Sequence, residues 1–425
     1  MEESDEEYEY GAECEEVFLK QERTNYYFEA NDFRKDDKLC LIYTNQVLMD
    51  KQKGILTHLI KQMNQNLMHS KPLTQISLPV KIFDSRSFLE KIALFFQAAP
   101  ILCELAARVD ASTEEGKIRR FKLIVAFAVS IRQYAIQMRK PFNPILGETY
   151  QARIGNYELC MEQVSHHPPI SRYHLYHKDE AFHKSKQLQK KGLFQIYGSL
   201  EYRPVIWANT AGGHGYGPMT VEFQDFNGLH KIEIWSPITE ITGLMYGERT
   251  FNFYDTLYVK DPSNSLYAEI VFQPNRNYSE GVTAKVGKYL SSWFIKSNAK
   301  ELDSIEKRAD YFEGVITKDP EVNYKLMRNT ISNPPHKIRG NWTEQLLIDD
   351  ELYWHVDDFQ GFQLRIPNQN PVKSKQFLMP SDCRFREDLI YLKRGDEDTA
   401  QKWKEVLEEI QRGDRSLREK ARKQL

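Results

Sequence analysis

The chain has 425 residues, 41% of them hydrophobic and 28% charged, enough to bury one large core or two ordinary ones. Five scattered cysteines (Cys14, Cys40, Cys103, Cys160, Cys383) without a CxxC pair, no signal-like leader and no apolar run of membrane-spanning length argue against a disulfide scaffold, secretion and a transmembrane helix, so a soluble cytosolic protein is expected. The net charge of −2 hides an asymmetry: residues 1–16 hold nine of the 60 acidic groups and no basic one, so the rest is mildly basic and suited to anionic partners, membrane surfaces as well as nucleic acid.

Residues 1–40 are polar and charged without a sustained period and read as an acidic disordered tail. Within it, Tyr26-Tyr27-Phe28-Glu29-Ala30-Asn31-Asp32 resembles the acidic motif with two aromatics that VAP receptors of the endoplasmic reticulum bind, and Tyr27, Phe28, Glu29, Ala30 and Asp32 carry the likeness. One domain is expected over residues 41–425. It begins with a helical stripe over 54–68, at Ile55, Leu59, Met63, Leu67 and at Leu56, Ile60. Asp84 to about Gln97 and Gly116 to Met138 also read as helices, the first with a start signal at Ser85-Arg86-Ser87.

From Tyr150 to about Gly314 the texture changes to short β-branched and aromatic stretches separated by turn residues. Thr220–Phe223, Lys231–Trp235 and Leu266–Phe272, the last after the turn Asp261-Pro262-Ser263-Asn264, alternate as antiparallel strands do. Many strands with few intervening helices point to a barrel or a large curled sheet. Asp396 to Leu425 reads as a terminal helix, with Asp396, Glu397 and Asp398 at its start and Trp403, Val406, Leu407 and Ile410 as a buried stripe.

Three segments carry chemistry. Glu162-Gln163-Val164-Ser165-His166-His167-Pro168-Pro169 holds two imidazoles on a stretch that the prolines bar from helix, where a strand runs out. Such a pair can donate to a phosphate, ligate a metal or transfer protons. Arg139-Lys140-Pro141-Phe142-Asn143-Pro144-Ile145-Leu146-Gly147-Glu148 is a proline-pinned loop with a cation and an amide. Lys404, Glu408 and Arg412 share one helix face at i, i+4, i+8, where Glu408 can orient both cations.

The metal reading would recruit Cys160, His174, His177 and His183. It lacks regular ligand spacing, and adjacent histidines on an extended chain face opposite ways. A hydrolase using Ser165 and His166 is the enzyme alternative, but the Gly-x-Ser-x-Gly elbow is absent. The basic run Arg412, Arg415, Arg418, Lys420, Arg422, Lys423 admits nucleic acid, a solvated helix end or an anionic membrane.

At these residues the chain resembles the lipid-binding domain of the oxysterol-binding protein-related family. Glu162 to Pro169 reads as that family's signature, Lys140 to Glu148 as its second motif and Lys404 to Arg412 as its terminal-helix pattern. The likeness covers roughly residues 50–425. It implies an α+β, mainly β fold: a large, nearly closed antiparallel β-barrel around a lipid tunnel, an N-terminal helical lid over about residues 52–70, and a C-terminal helical segment. It also implies a non-enzymatic carrier, without cofactor or metal, that exchanges phosphatidylinositol 4-phosphate for a second lipid at membrane contact sites, peripherally on cytoplasmic membrane faces. By the resemblance, the headgroup set is Lys140, Asn143, His166, His167, Lys404, Glu408 and Arg412. Gln133-Tyr134, before the second motif, matches a pattern of sterol-binding members, where a buried amide meets the sterol hydroxyl; phosphatidylserine is the alternative second cargo. The chain departs from the family in having no lid tryptophan, and in reading Asp382-Cys383-Arg384 and Arg386-Glu387-Asp388 where serine and proline are usual at the middle positions.

Overall fold

The computed structural model describes residues 32–36, 40–55, 78–177, 194–207, 209–225, 228–274, 308–319, 336–357, 364–365 and 378–424. Tyr27 to Ala30 and most of the expected lid lie outside them. Residues 46–55 are helical and include the start of that lid. This helix is anchored where Arg249 donates to Gln52 at 2.6 Å and Lys51 meets Glu397 at 3.6 Å.

Among the described residues, seventeen strands form one antiparallel sheet. Its main path runs through β5 (Thr149–Ile154), β6 (Tyr157–His166), β7 (Pro169–His177), β8 (Phe194–Trp207), β10 (Met219–Asp225), β11 (Gly228–Trp235), β13 (Thr250–Asp261), β14 (Leu266–Phe272), β15 (Tyr311–Thr317), β16 (His336–Asn341), β17 (Gln345–Ile348) and β18 (Glu351–His355). A second path leaves the far half of β8 through β9 (Thr210–Tyr216) and β12 (Ile238–Thr242) and rejoins β13. From there it continues to β2 (Cys40–Tyr43) and β1 (Phe33–Asp36). The short β19 (Leu364–Arg365) borders β5. Where β13 leaves β12, Asp255 takes φ 72, a left-handed conformation that bends the strand toward its second set of partners.

Strand β14 shows why these residues are strands. Leu266, Ala268, Ile270 and Phe272 are buried and the residues between them half-buried, as a period of two requires when one face meets a core. The preceding turn is closed by Asp261, whose carboxylate accepts from the Asn264 amide at 3.2 Å. What the inner faces pack on is a helix. After β3 (Phe83–Ser87) come α1 (Phe88–Ala93), α2 (Ala99–Arg108) and α3 (Glu114–Tyr134). In α3, Phe121 and every residue from Ile124 to Ile131 are buried, right round the helix. A helix buried on all sides needs walls on all sides, and β11, β13, β14, β17 and β18 supply them. The curled sheet follows from that enclosure. One continuous hydrophobic cluster joins α1, α2, α3 and the strands.

Two expectations need correction. The helix read from Asp84 starts only after Ser87, which caps it by accepting from the Leu89 amide at 3.4 Å. Residues 83–87 form β3 instead, paired in parallel with β4 (Lys140–Phe142). A local start signal cannot register a partner strand about 55 residues away. The second correction concerns the last helix. After α4 (Glu387–Lys393), α5 spans Glu397–Gln424 as expected, but its Trp403–Ile410 stripe is not a buried one. Val406 is 44% and Ile410 56% exposed, while Ala400 and Lys404 are buried. Amphipathic spacing marks two faces of a helix without saying which one meets the body, and here α4 and residues 80–82 cover the other.

Candidate functional site

The two histidines sit where β6 ends and β7 begins, with His166 opposite Pro169 in register. The strand is prepared for this turn by a bulge after Gln163. The buried Gln163 side chain donates to the Ser165 carbonyl and accepts from the Ser171 hydroxyl, both at 2.6 Å. The two rings do not face opposite ways. Their centroids are 4.6 Å apart in edge contact, because strand alternation stops at His166. The other members of the metal reading are engaged elsewhere: His174 with Gln195 at 2.9 Å, Cys160 with Tyr176 at 3.9 Å, and His177 against the Tyr157 ring. His183 lies outside the described residues.

Against this turn packs the loop that follows β4. Gly147, at φ +83, takes a conformation that favours glycine and donates to the Gln163 carbonyl at 2.9 Å, while Gln163 donates back to the Glu148 carbonyl at 2.9 Å. The Lys140 ammonium donates to the Asn143 side-chain oxygen at 2.6 Å. It lies 4.8 Å from the centre of the Phe83 ring. From the other side, α5 brings Lys404 to 5.8 Å from the same ring. Lys404 is held by Glu408 at 2.5 Å, and Glu408 reaches Arg412 at 3.8 Å. The seven residues of the expected headgroup set, drawn from three distant segments, therefore form one cluster.

The cluster is electrostatically uncomfortable as it stands. Burial, and then the charge of Lys404, bring the Lys140 pKa down to about 7, only partly offset by Glu408. Burial and the neighbouring His167 push His166 down to about 4, against a hydrogen bond to the Pro144 carbonyl. Burial, then Arg415, lowers His167 as well. The Nδ1 atom of His166 is buried without a hydrogen-bond partner among the described residues, and so are Nε of Arg139 and Nε2 of Gln411. A buried donor or acceptor left unmade costs free energy.

Reading the residues missed part of this. Arg415 acts on both histidines, although it follows the pattern Lys404–Glu408–Arg412 by less than a turn and also binds Glu419 at 2.8 Å. Its repeat at i+11 from Lys404 was the available signal. The supporting network beneath the loop was missed too. Glu148 accepts from Ser87, from the Ile145 amide at 2.9 Å and from Arg386 at 2.7 Å. Arg386 also donates to the Asn143 carbonyl at 3.0 Å and to Asp388 at 2.7 Å. Arg384 grips Asp382 through two contacts of 2.8 Å, and Asp382 accepts from the Gln151 amide at 3.0 Å. The departures at Cys383 and Glu387 fall on middle positions that make none of these contacts.

Gln133 and Tyr134 lie apart from this cluster, in the last turn of α3, where the Gln133 amide donates to the Thr343 carbonyl at 3.1 Å. No helix among the described residues is long and apolar enough to cross a membrane.

The oxysterol-binding protein family model matches residues 58–425. Oxysterol-binding protein 9 of Dictyostelium discoideum is 28% identical over 372 residues, covering 87% of this chain and 77% of the relative. Human oxysterol-binding protein-related protein 2 is 25% identical over 374 residues, covering 80% and 72%. Among solved structures, the Osh3 domain of Saccharomyces cerevisiae in complex with PI(4)P superposes with a TM-score of 0.59 at 22% identity, over 85% of this chain and 84% of that one. The Osh1 domain in complex with ergosterol gives 0.55 at 20% identity, over 82% and 77%. The chain belongs to the oxysterol-binding protein family.

Proposed function

We propose that this protein is a lipid carrier that binds phosphatidylinositol 4-phosphate through Lys140, Asn143, His166, His167, Lys404, Glu408 and Arg412 and exchanges it between membranes for a second lipid, a sterol. The observation that carries this reading is the gathering of Lys140, Lys404 and the two histidines, with His166 Nδ1 buried without a hydrogen-bond partner among the described residues. A phosphate monoester near neutral pH carries close to two negative charges and three strong acceptors. It supplies a counter-charge to Lys140, and beside it His166 can take up a proton and donate from Nδ1. Acyl chains gain little on leaving a bilayer for an apolar tunnel, so cargo selection falls to the headgroup. The bound states named for the Osh3 and Osh1 domains support both cargo classes. Glu408, a carboxylate that acts on His166, is engaged by Lys404, which leaves it poorly suited to the role of a triad acid for Ser165.

For the sterol, Gln133 offers its side-chain carbonyl as the acceptor for a hydroxyl, its amide being committed to Thr343. Phosphatidylserine remains the competing second cargo. Residues 27–30 and Asp32 would recruit a VAP receptor and place exchange at contact sites of the endoplasmic reticulum. The test is mass spectrometry of lipids carried by the protein after incubation with mixed liposomes. Phosphatidylinositol 4-phosphate and sterol, each captured alone and each displacing the other, are the expected cargo. A protein that extracts neither would overturn the reading, and enrichment of phosphatidylserine in place of sterol would reassign the second lipid.

A further inference from the structure

The terminal helix has a face that the headgroup site does not use. Its body side is formed by Ala400, Lys404, Leu407 and Gln411, which succeed one another at i+4, i+3, i+4. A second series, Trp403, Val406, Ile410, Gly413 and Leu417, follows the same spacing on another side. In that series Val406, Ile410 and Leu417 are 44%, 56% and 64% exposed. Past Gln411 every residue to Lys423 is exposed. Apolar residues aligned along an exposed helix face are a surface built for contact rather than scattered exposure.

The charges beside the stripe indicate the kind of contact. At 3.6 residues per turn, Lys402 and Lys420 border it on one side and Arg418 lies past Asp414 on the other, all exposed. From Arg412 to Lys423 there are six basic residues against Asp414 and Glu419, and both acids are engaged within the helix, by Arg418 at 3.7 Å and Arg415 at 2.8 Å. An apolar stripe flanked on both borders by long cationic side chains matches an anionic lipid–water boundary: the stripe enters the acyl edge and the cations reach the headgroups beside it.

We infer that the outer face of α5, made by Val406, Ile410 and Leu417 between Lys402 and Lys420 on one side and Arg418 on the other, is a docking surface for anionic bilayers. The inference rests on the carrier reading in that it names where such a carrier meets its membrane. Docking and cargo binding use different sides of one helix and are separable by substitution.

The test uses the full chain in flotation with vesicles of phosphatidylcholine alone and of phosphatidylcholine with about a quarter phosphatidylserine. The parent should float only with the anionic vesicles. The variant Val406→Gln/Ile410→Gln/Leu417→Gln, which keeps good helix formers at exposed positions, should lose about tenfold in vesicle binding. The variant Lys402→Gln/Arg418→Gln/Lys420→Gln should lose as much and show a weaker salt dependence. The charge variant touches only exposed side chains, so it decides the matter if the apolar variant folds poorly. In both variants, solution binding of a water-soluble short-chain phosphatidylinositol 4-phosphate should equal the parent's. Absence of that binding in the parent would instead condemn the carrier reading. Unchanged flotation of both variants overturns the docking surface. It is equally overturned by a parent dimer that the glutamine changes dissolve without altering vesicle binding, since the stripe would then face a second copy of the chain.

Discussion

Two neighbouring polar regions of this molecule are built on opposite principles. Beneath the loop of residues 143–148, the carboxylates Glu148, Asp382 and Asp388 are buried, and each meets an arginine as well as a backbone amide. On the other side of the loop, the ammonium groups of Lys140 and Lys404 share one phenylalanine ring, and an imidazole nitrogen is buried with no partner among the described residues. In the first region each buried carboxylate meets a cation; in the second, two cations meet each other. Paired buried charge holds the loop in place, whereas like charges gathered beside an unpartnered imidazole nitrogen mark a candidate ligand site.

The comparison breaks most visibly at Arg386. Replacing it with alanine strands Glu148 and Asp388 in the interior, and stability should fall by about 3–5 kcal/mol in a denaturant titration. If the loss is under about 1 kcal/mol, the network is not what fixes the loop. The second region should respond in the opposite sense. His166→Ala/His167→Ala should reduce phosphatidylinositol 4-phosphate extraction about a hundredfold while leaving the melting temperature unchanged or higher. Sterol extraction should survive that change, and a parallel loss of both cargoes would deny the histidines a selective role.

Proton linkage sharpens the contrast. With its pKa near 7, Lys140 is largely neutral in the unliganded chain above that pH, whereas a dianionic phosphate beside it favours the charged form. Binding above pH 7 therefore takes up a proton, and affinity should decline from pH 7 to 9 by up to about tenfold per unit. Between pH 7 and the ordinary lysine range the unfolded chain holds this proton and the folded chain does not, so the stability of the unliganded protein should rise with pH as far as Lys140 contributes. Calorimetry in buffers of different ionisation heat reads the uptake, and its absence would place Lys140 outside the site. A smaller effect is expected from Lys140→Met, which removes a penalised charge: the empty protein should gain about 1 kcal/mol while losing headgroup affinity. A drop in stability would mean that Lys140 belongs with the satisfied network.

Much of the site could be read from residue types alone. Prolines beside His166-His167 and around Asn143 exclude helix, and the charged residues Lys404, Glu408 and Arg412, spaced by four, share a helix face. The network that supports the site was not legible, because Ser87, Glu148 and Arg386 are 61 and 238 residues apart along their two bonds and no local pattern links them. The paired β3 and β4 went unread for the same reason.

What the sequence determined by itself was local: strands such as Leu266–Phe272 through alternation, helix starts through Ser87 and Thr113, and a cluster chemistry suited to phosphate. Tertiary structure alone decided which surface each element turns inward. It buried Lys404 and exposed Val406 and Ile410, set the two imidazoles edge to edge, and brought Arg415 to them. Periodicity gives the faces of an element, but only the partner packed against it decides which face leaves water.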